Sequence, residues 1–413
     1  MTVLKVDDLH PSVSDPVLTA MNFLNEITTR FPDAISFAPG APYAPFLTDV
    51  DVAACLQRYL DHRGVPVATL LRYGPAAGEI NDLIAGALAA EEGIQVPPEA
   101  IVVTVGCQEA LFVTLRAIMA APTDVLLAVD PCYVGLAGAA SVLGIDVVGV
   151  PEAEDGVEAT DVAAACAAVR RSGRRPRALY LVPDFANPSG SRLSLAARHR
   201  LLAVAEQEDL LLLEDNPYGF TSGDDALPVL KALDTRQRVV YLGTMSKVCA
   251  PGVRVGYAVA DQRVLTASGS VGLLADRLTG IKSMITVNTS PVAQAIVGGM
   301  LLAGEALRSR EQAAHYRANL AVLVAELAGN LPADVSWRAP DGGFFVTIRL
   351  PFPAGQELVE VCAREYGVLY TPMGNFYLAA PDDNRIRLSC SNLTAPEIVT
   401  GVDRLCQFIR DRR

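Results

Sequence analysis

At 413 residues the chain is long for one core and is expected to form two domains, and 51% hydrophobic residues suffice for both. A formal net charge of −12 and a pI near 4.9 exclude a general nucleic-acid binder, which carries a basic face. No uncharged run approaches the ~20 apolar residues of a membrane span, and residues 1–15 hold no continuous apolar stretch of a signal peptide, so a cytoplasmic, membrane-free protein is expected.

The eight cysteines are scattered and form no CxxC pair, which argues for free thiols in a reducing compartment. The four histidines are too dispersed for a metal cluster, and no metal is expected.

In chain order, a helix is expected from about 16 to 29. ISFAPGAP (35–42) reads as a short strand ending in a Pro-Gly turn, where Gly40 either lets a ligand approach the backbone or merely makes the turn. Residues 50–62 look helical. Tyr73 sits in a Tyr-Gly-Pro turn ahead of a helix whose apolar face carries Ile80, Leu83, Ile84, Ala87 and Leu88.

IVVTV (101–105) reads as a buried strand, followed at once by Gly106-Cys107-Gln108 and a helix through about 120. Such a junction is either an ordinary βα turn or an anion site built from free N–H groups and the helix dipole. From there the period is βαβ. Strands are expected at 125–130, 146–150, 178–184 and 210–215, with helices at 138–144, 162–170 and 194–209. The basic run RRSGRRPR (170–177) reads as a solvated loop.

VVYL (239–242) and VGYAVA (255–260) read as two further strands. Between them, Lys247 lies on a polar turn with Thr244, Ser246 and Arg254. It is either a surface lysine or a desolvated amine of depressed pKa, as Schiff-base chemistry requires.

Apolar strands alternating with helices imply a mostly parallel sheet covered on both faces, with the ligand outside the strands' carboxyl ends. Gly106–Gln108, Tyr133, Asn187, Asp215, Tyr218 and Lys247 all follow strands and can converge there.

Such a set suits pyridoxal 5'-phosphate. Lys247 would meet the aldehyde and Asp215 the pyridine nitrogen. Asn187 and Tyr218 would bond the phenolic oxygen, and Tyr133 would stack on the ring. Gly106, Cys107, Thr244, Ser246 and Arg254 would hold the phosphate.

With those positions the chain resembles the fold-type-I pyridoxal-phosphate aminotransferases of class I/II, of the aspartate/aminoadipate type, over about 16–410. The resemblance rests on Asn187-Pro188-Ser189-Gly190, Glu214-Asp215-Asn216-Pro217-Tyr218, Thr244-Met245-Ser246-Lys247 and Arg254-Val255-Gly256-Tyr257.

It implies an α/β fold with a mostly parallel seven-stranded sheet between helices and a smaller α+β domain. The segments would be 1–48 (partly joining the small domain), 49–290 (large, cofactor-binding) and 291–413 (small). It implies Lys247 as the catalytic lysine, with Asp215 and Tyr218 also catalytic and Gln108 at the cofactor. Tyr73 would reach the partner's cofactor in a homodimer, Gly40, Asn187 and Arg387 would bind substrate, and Asn187-Pro188 would be cis. Arg387 alone also reads as a surface strand arginine.

The C-terminal part is expected to hold helices at 290–304 and about 305–328, and a half-buried strand at 341–350. Two departures from the family pattern are Thr244 in Thr-x-Ser-Lys and the Thr-Pro-Met-Gly loop before Arg387.

The implied reaction is transamination between an L-amino acid and a 2-oxo acid. The loop departures and composition suggest a biosynthetic enzyme for an unusual amino acid, and a resemblance to the aminotransferases that make enduracididine implies an arginine-like one of antibiotic biosynthesis. An oxidase, hydroxylase or cyclase of the same fold is the alternative. A regulator with an aminotransferase-like domain would need an N-terminal helix-turn-helix ahead of the match.

Overall fold

Seven apolar runs separated by helices build the central sheet of the computed structural model, which describes residues 3–153, 156–304 and 307–412. In chain order its strands are β1 (Ile101–Thr104), β2 (Asp124–Asp130), β3 (Asp146–Ala153), β4 (Gly156–Val157), β5 (Arg175–Leu181), β6 (Leu211–Asp215), β7 (Val239–Thr244) and β8 (Gly256–Val259). Spatially they run β1-β8-β7-β6-β5-β2-β3-β4. The eighth, beyond the seven expected, is the two-residue β4, which folds back antiparallel on the edge strand β3.

Neighbours from β7 through β3 pair in parallel, while β8 is antiparallel to both β1 and β7. Successive residues of a strand point to opposite faces. Along β2, Leu126 and Ala128 enter one core and Val125, Leu127 and Val129 the other. Both faces are covered, which is why these strands are apolar throughout.

Most expected helices lie within a few residues of their places. Pro16–Arg30 begins at Asp15, whose Oδ1 accepts from Val17 N at 2.9 Å. The helix expected from 138 starts earlier, at Val134, so Tyr133 stands at its N-terminal boundary. The long C-terminal helix is Arg310–Asn330; positions 305 and 306 of its expected span lie outside the described residues.

The basic run 170–177 is not a loop. Arg170 and Arg171 end the helix Ala159–Arg171, and Arg175 already opens β5. Arg170 pairs with Glu208 and Arg174 with Asp146. The carboxylates that keep this run on regular elements come from elsewhere in the chain.

A second, antiparallel sheet has β9 (Ser336–Trp337), β10 (Phe345–Arg349), β11 (Thr371–Pro372) and β12 (Arg385–Ser389) in the order β9-β10-β12-β11. In register, Arg387 faces Thr347 on one side and Thr371 on the other. Ile35–Ser36 pairs in parallel with Val368–Leu369, and Ile27 and Phe37 share a core with Leu405 and Phe408. The early chain thereby packs into the C-terminal part and lays residues 38–42 along the cleft beside the central sheet.

Candidate active site

The carboxyl ends of β1, β2, β5, β6 and β7 open into one cleft of about 700–800 Å³. Its walls include Gly40, Cys107, Gln108, Tyr133, Asn187, Asp215, Tyr218, Thr244, Ser246, Lys247, Arg254 and Arg387. Nearly every residue expected at the site is therefore brought together. Gly106 borders the cleft through Arg254: a Cβ on Gly106 would stand 2.2 Å from Arg254 Nη2. Tyr73 is the exception, 88% exposed and absent from the walls formed by this single chain.

Lys247 follows β7 on a turn held by Thr244, whose Oγ1 accepts from Ser246 N at 3.1 Å. Its ammonium donates to Gly40 O at 2.6 Å. Burial, then the nearby positive charges of Arg387 and Arg254, lower its pKa to about 8, with Asp215 acting in the opposite sense. Gly40 thus meets the lysine through its carbonyl. A side chain there would collide with Phe345, 2.7 Å from the added Cβ.

Asp215 ends β6 at the floor of the cleft. Tyr180 Oη donates to its Oδ2 at 2.6 Å, and Cys107 Sγ donates to its Oδ1 at 3.7 Å. Burial raises the carboxyl to about 6, while these two hydrogen bonds and the Lys247 charge pull it down. Tyr180 was not singled out by sequence because it lies inside an apolar strand. Its register partner is Leu213, two residues before Asp215 and on the same face, so the tyrosine points diagonally at the carboxylate.

At the other end, the helix Cys107–Ile118 starts at Gly106 (φ 75°) with no side chain capping it. Arg254 Nη1 donates to Ser246 Oγ at 3.0 Å beside that start. Free amides, a hydroxyl and a guanidinium converge on one small space, a cradle suited to a phosphate.

Gln108 holds Gly135 O through Nε2 at 2.7 Å, next to Tyr133. Tyr133 is pushed up to about 12, mainly by burial, and stays a neutral phenol. Tyr218 is buried with its ring edge against Phe344 and Phe345. Asn187 follows β5 after a cis Asn187–Pro188 bond, as expected.

Arg387 is 4% exposed. It donates to Asn187 Oδ1 and Ala38 O, each at 2.5 Å, and to Thr371 Oγ1 at 3.1 Å. Its guanidinium lies 4.5 Å from the Phe345 ring centroid. Its Nε is buried without an acceptor, and no carboxylate among the described residues pairs with it. Burial alone lowers its pKa to about 10, so it remains charged at neutral pH. A buried cation among neutral acceptors is a waiting place for an anion.

A donor set of buried lysine, buried carboxylate and phosphate cradle matches an aldehyde-bearing pyridine phosphate. The family comparison decides the matter: residues 68–405 match the model of aminotransferase class I and II. The chain belongs to that family.

As a class I/II aminotransferase it is a pyridoxal-phosphate-dependent transferase of fold type I. It is 45% identical to the (S)-3,5-dihydroxyphenylglycine transaminase of Amycolatopsis orientalis, covering 100% of this chain and 96% of that one. It is 31% identical to the 2-aminoadipate transaminase of Thermus thermophilus, over 92% and 91% of the two chains. Among solved structures, an archaeal alanine:glyoxylate aminotransferase superposes with a TM-score of 0.87 at 26% identity, covering all of both chains. The α-aminoadipate aminotransferase of Thermus thermophilus, complexed with N-(5'-phosphopyridoxyl)-L-leucine, superposes at 0.80 with 28% identity over 98% of each.

Proposed function

We propose that this aminotransferase exchanges the amine of an aromatic, arylglycine-type L-amino acid with a 2-oxo acid, with Lys247 as the residue that carries the cofactor. The single observation behind the reaction class is the pairing of a buried guanidinium with a half-buried amine in one cleft. Arg387 meets no counter-ion among the described residues, while burial lowers the Lys247 pKa to about 8.

When bound, pyridoxal 5'-phosphate supplies an aldehyde for amine exchange and a ring that takes up the electrons of a broken Cα–H bond. Arg387 binds the substrate α-carboxylate through its fork, and its contacts to Asn187 and Thr371 keep the fork oriented. Lys247, whose pKa burial lowers to about 8, would accept the α-proton once unprotonated and return it at the adjacent carbon. Asp215 would face the pyridine nitrogen as a carboxylate, and Arg254, Ser246 and the helix start would hold the phosphate. Tyr133 would cover the ring face, and Asn187 and Tyr218 would bond its oxygen.

The substrate class follows from the remaining walls. Val17, Leu18, Leu111, Phe112 and Val142 line the same cleft, and Asp215 is its one carboxylate among the described residues. A guanidinium side chain would find no second acid from this chain, which counts against the arginine-like expectation. The 45% relative, named for a dihydroxyphenylglycine, supports the aromatic choice and a place in specialised amino-acid biosynthesis.

A half-reaction screen tests the reading. Arylglycines should be converted to arylglyoxylates, with the cofactor passing to its amine form and no oxygen consumed. Preferred turnover of arginine would overturn the substrate class, and oxygen uptake would overturn the reaction.

A further inference from the structure

We propose that Tyr180 and Cys107 are positioning residues that clamp Asp215 from both sides, holding it ionised and aimed at the cofactor's ring nitrogen. The proposal rests on the aminotransferase reading above and goes beyond it, because neither residue carries out the chemistry.

The geometry places one donor on each carboxylate oxygen: Tyr180 Oη on Oδ2 and Cys107 Sγ on Oδ1. The donors come from different elements, Tyr180 from β5 and Cys107 from the first turn of the helix after β1. Together they leave the carboxylate little rotational freedom about its Cβ–Cγ bond. A bond from each side is also what an ionised carboxylate needs when it has left water.

The sense of both bonds is fixed. Burial and the adjacent negative charge push the Tyr180 phenol and the Cys107 thiol well above their ordinary values, so both keep their protons at any working pH. A thiolate at 107 would face Asp215 with like charge; the protonated thiol donates to it instead. The other titratable groups felt around Asp215 are Lys247, Tyr133 and Tyr218, and only Lys247 is a cation that favours the ionised form.

Removing either donor therefore makes Asp215 easier to protonate, and a neutral Asp215 no longer pairs with a protonated ring nitrogen. Cys107 has a further role within reach, since its backbone amide opens the phosphate cradle while its thiol turns to the ring end.

The probe is pyridoxamine 5'-phosphate, which keeps the ring nitrogen and phosphate but has no aldehyde, so Lys247 need not react. Its dissociation constant is measured by fluorescence from pH 5 to 8.5 for wild type, Tyr180→Phe, Cys107→Ala and Cys107→Ser.

Wild-type affinity should fall on acidification. In Tyr180→Phe and Cys107→Ala the acid limb should move up by about half to one pH unit, with affinity at pH 6 weaker by about 2- to 5-fold. Cys107→Ser, which keeps a donor, should follow wild type. The melting temperatures of the ligand-free proteins separate a folding defect from a lost clamp.

Superimposable acid limbs in all four proteins would overturn the clamp while leaving the aminotransferase reading in place. Failure of wild type to bind the probe at any pH would overturn the aminotransferase reading itself.

Discussion

Arg387 and Lys247 are two cleft residues whose environments oppose their charges. Truncating one member of a buried charged contact costs about 2–5 kcal/mol, so Arg387→Ala should raise KM for α-carboxylate substrates by roughly 30-fold or more. Steady-state kinetics would show it, and an unchanged KM would remove Arg387 from the site. For Lys247 the sign runs through burial. Its folded pKa, about 8, lies below the ordinary lysine value of 10.5, so between these values the unfolded chain binds the extra proton. The cost of burying the ammonium is fully present below about pH 8 and is relieved as pH rises toward 10.5. Lys247→Met should therefore stabilise the cofactor-free protein at pH 6–7, by about 2 kcal/mol once the lysine's partial opening to the cleft is allowed for. That gain should shrink above pH 8 in denaturant titrations; a gain independent of pH would show that the amine is not desolvated.

Among the elements, the turns after the strands do most to place the site, and they tolerate little added volume. Gly190 closes the Asn187-Pro188-Ser189-Gly190 turn at φ 77°, and a Cβ there would lie 2.8 Å from Phe345 O on β10. Gly190→Ala should destabilise the fold by about 2–4 kcal/mol, from left-handed strain and the clash together, and should loosen Asn187 from Arg387. A melting curve within a degree of wild type would contradict this. Gly256 brings β8 against the helix start, where an added Cβ would sit 2.4 Å from Cys107 N. Gly256→Ala should weaken pyridoxal-phosphate affinity at least tenfold by displacing the phosphate cradle, as measured by dialysis against the free cofactor. The strand-turn motifs were legible because each combines a fixed apolar run with small or polar residues that only a turn accepts. The basic run 170–177 was not, because Glu208 and Asp146, which hold Arg170 and Arg174, lie 38 and 28 residues away in sequence.

At the scale of the whole molecule, Tyr73 lies outside the walls that this single chain gives the cleft. Tyr73 is exposed, as are Val67 and Leu71 before it and Met284, Ile285 and Val287 beyond the helix Leu274–Ser283. We propose that this apolar set is covered by a second copy of the chain, each Tyr73 reaching the other copy's phosphate. Light scattering should then find a dimer, and Tyr73→Phe should weaken cofactor binding several-fold without dissociating it. A monomer that binds the cofactor as tightly as the wild-type assembly would defeat the proposal. With Arg387 supplied only by the family resemblance, the sequence alone determined the mostly parallel α/β architecture, the order of the four motifs and the placing of Asn187, Asp215 and Lys247 after strands. Those follow from local rules: apolar runs make strands, and polar residues at strand ends face the ligand. Only the tertiary structure decided that Tyr180 and Cys107 grip Asp215, that Gly40 meets Lys247 through its carbonyl, and that Arg387 lies buried without an acid. Such contacts depend on strand register and on the angle between elements, which no local stretch of residues encodes.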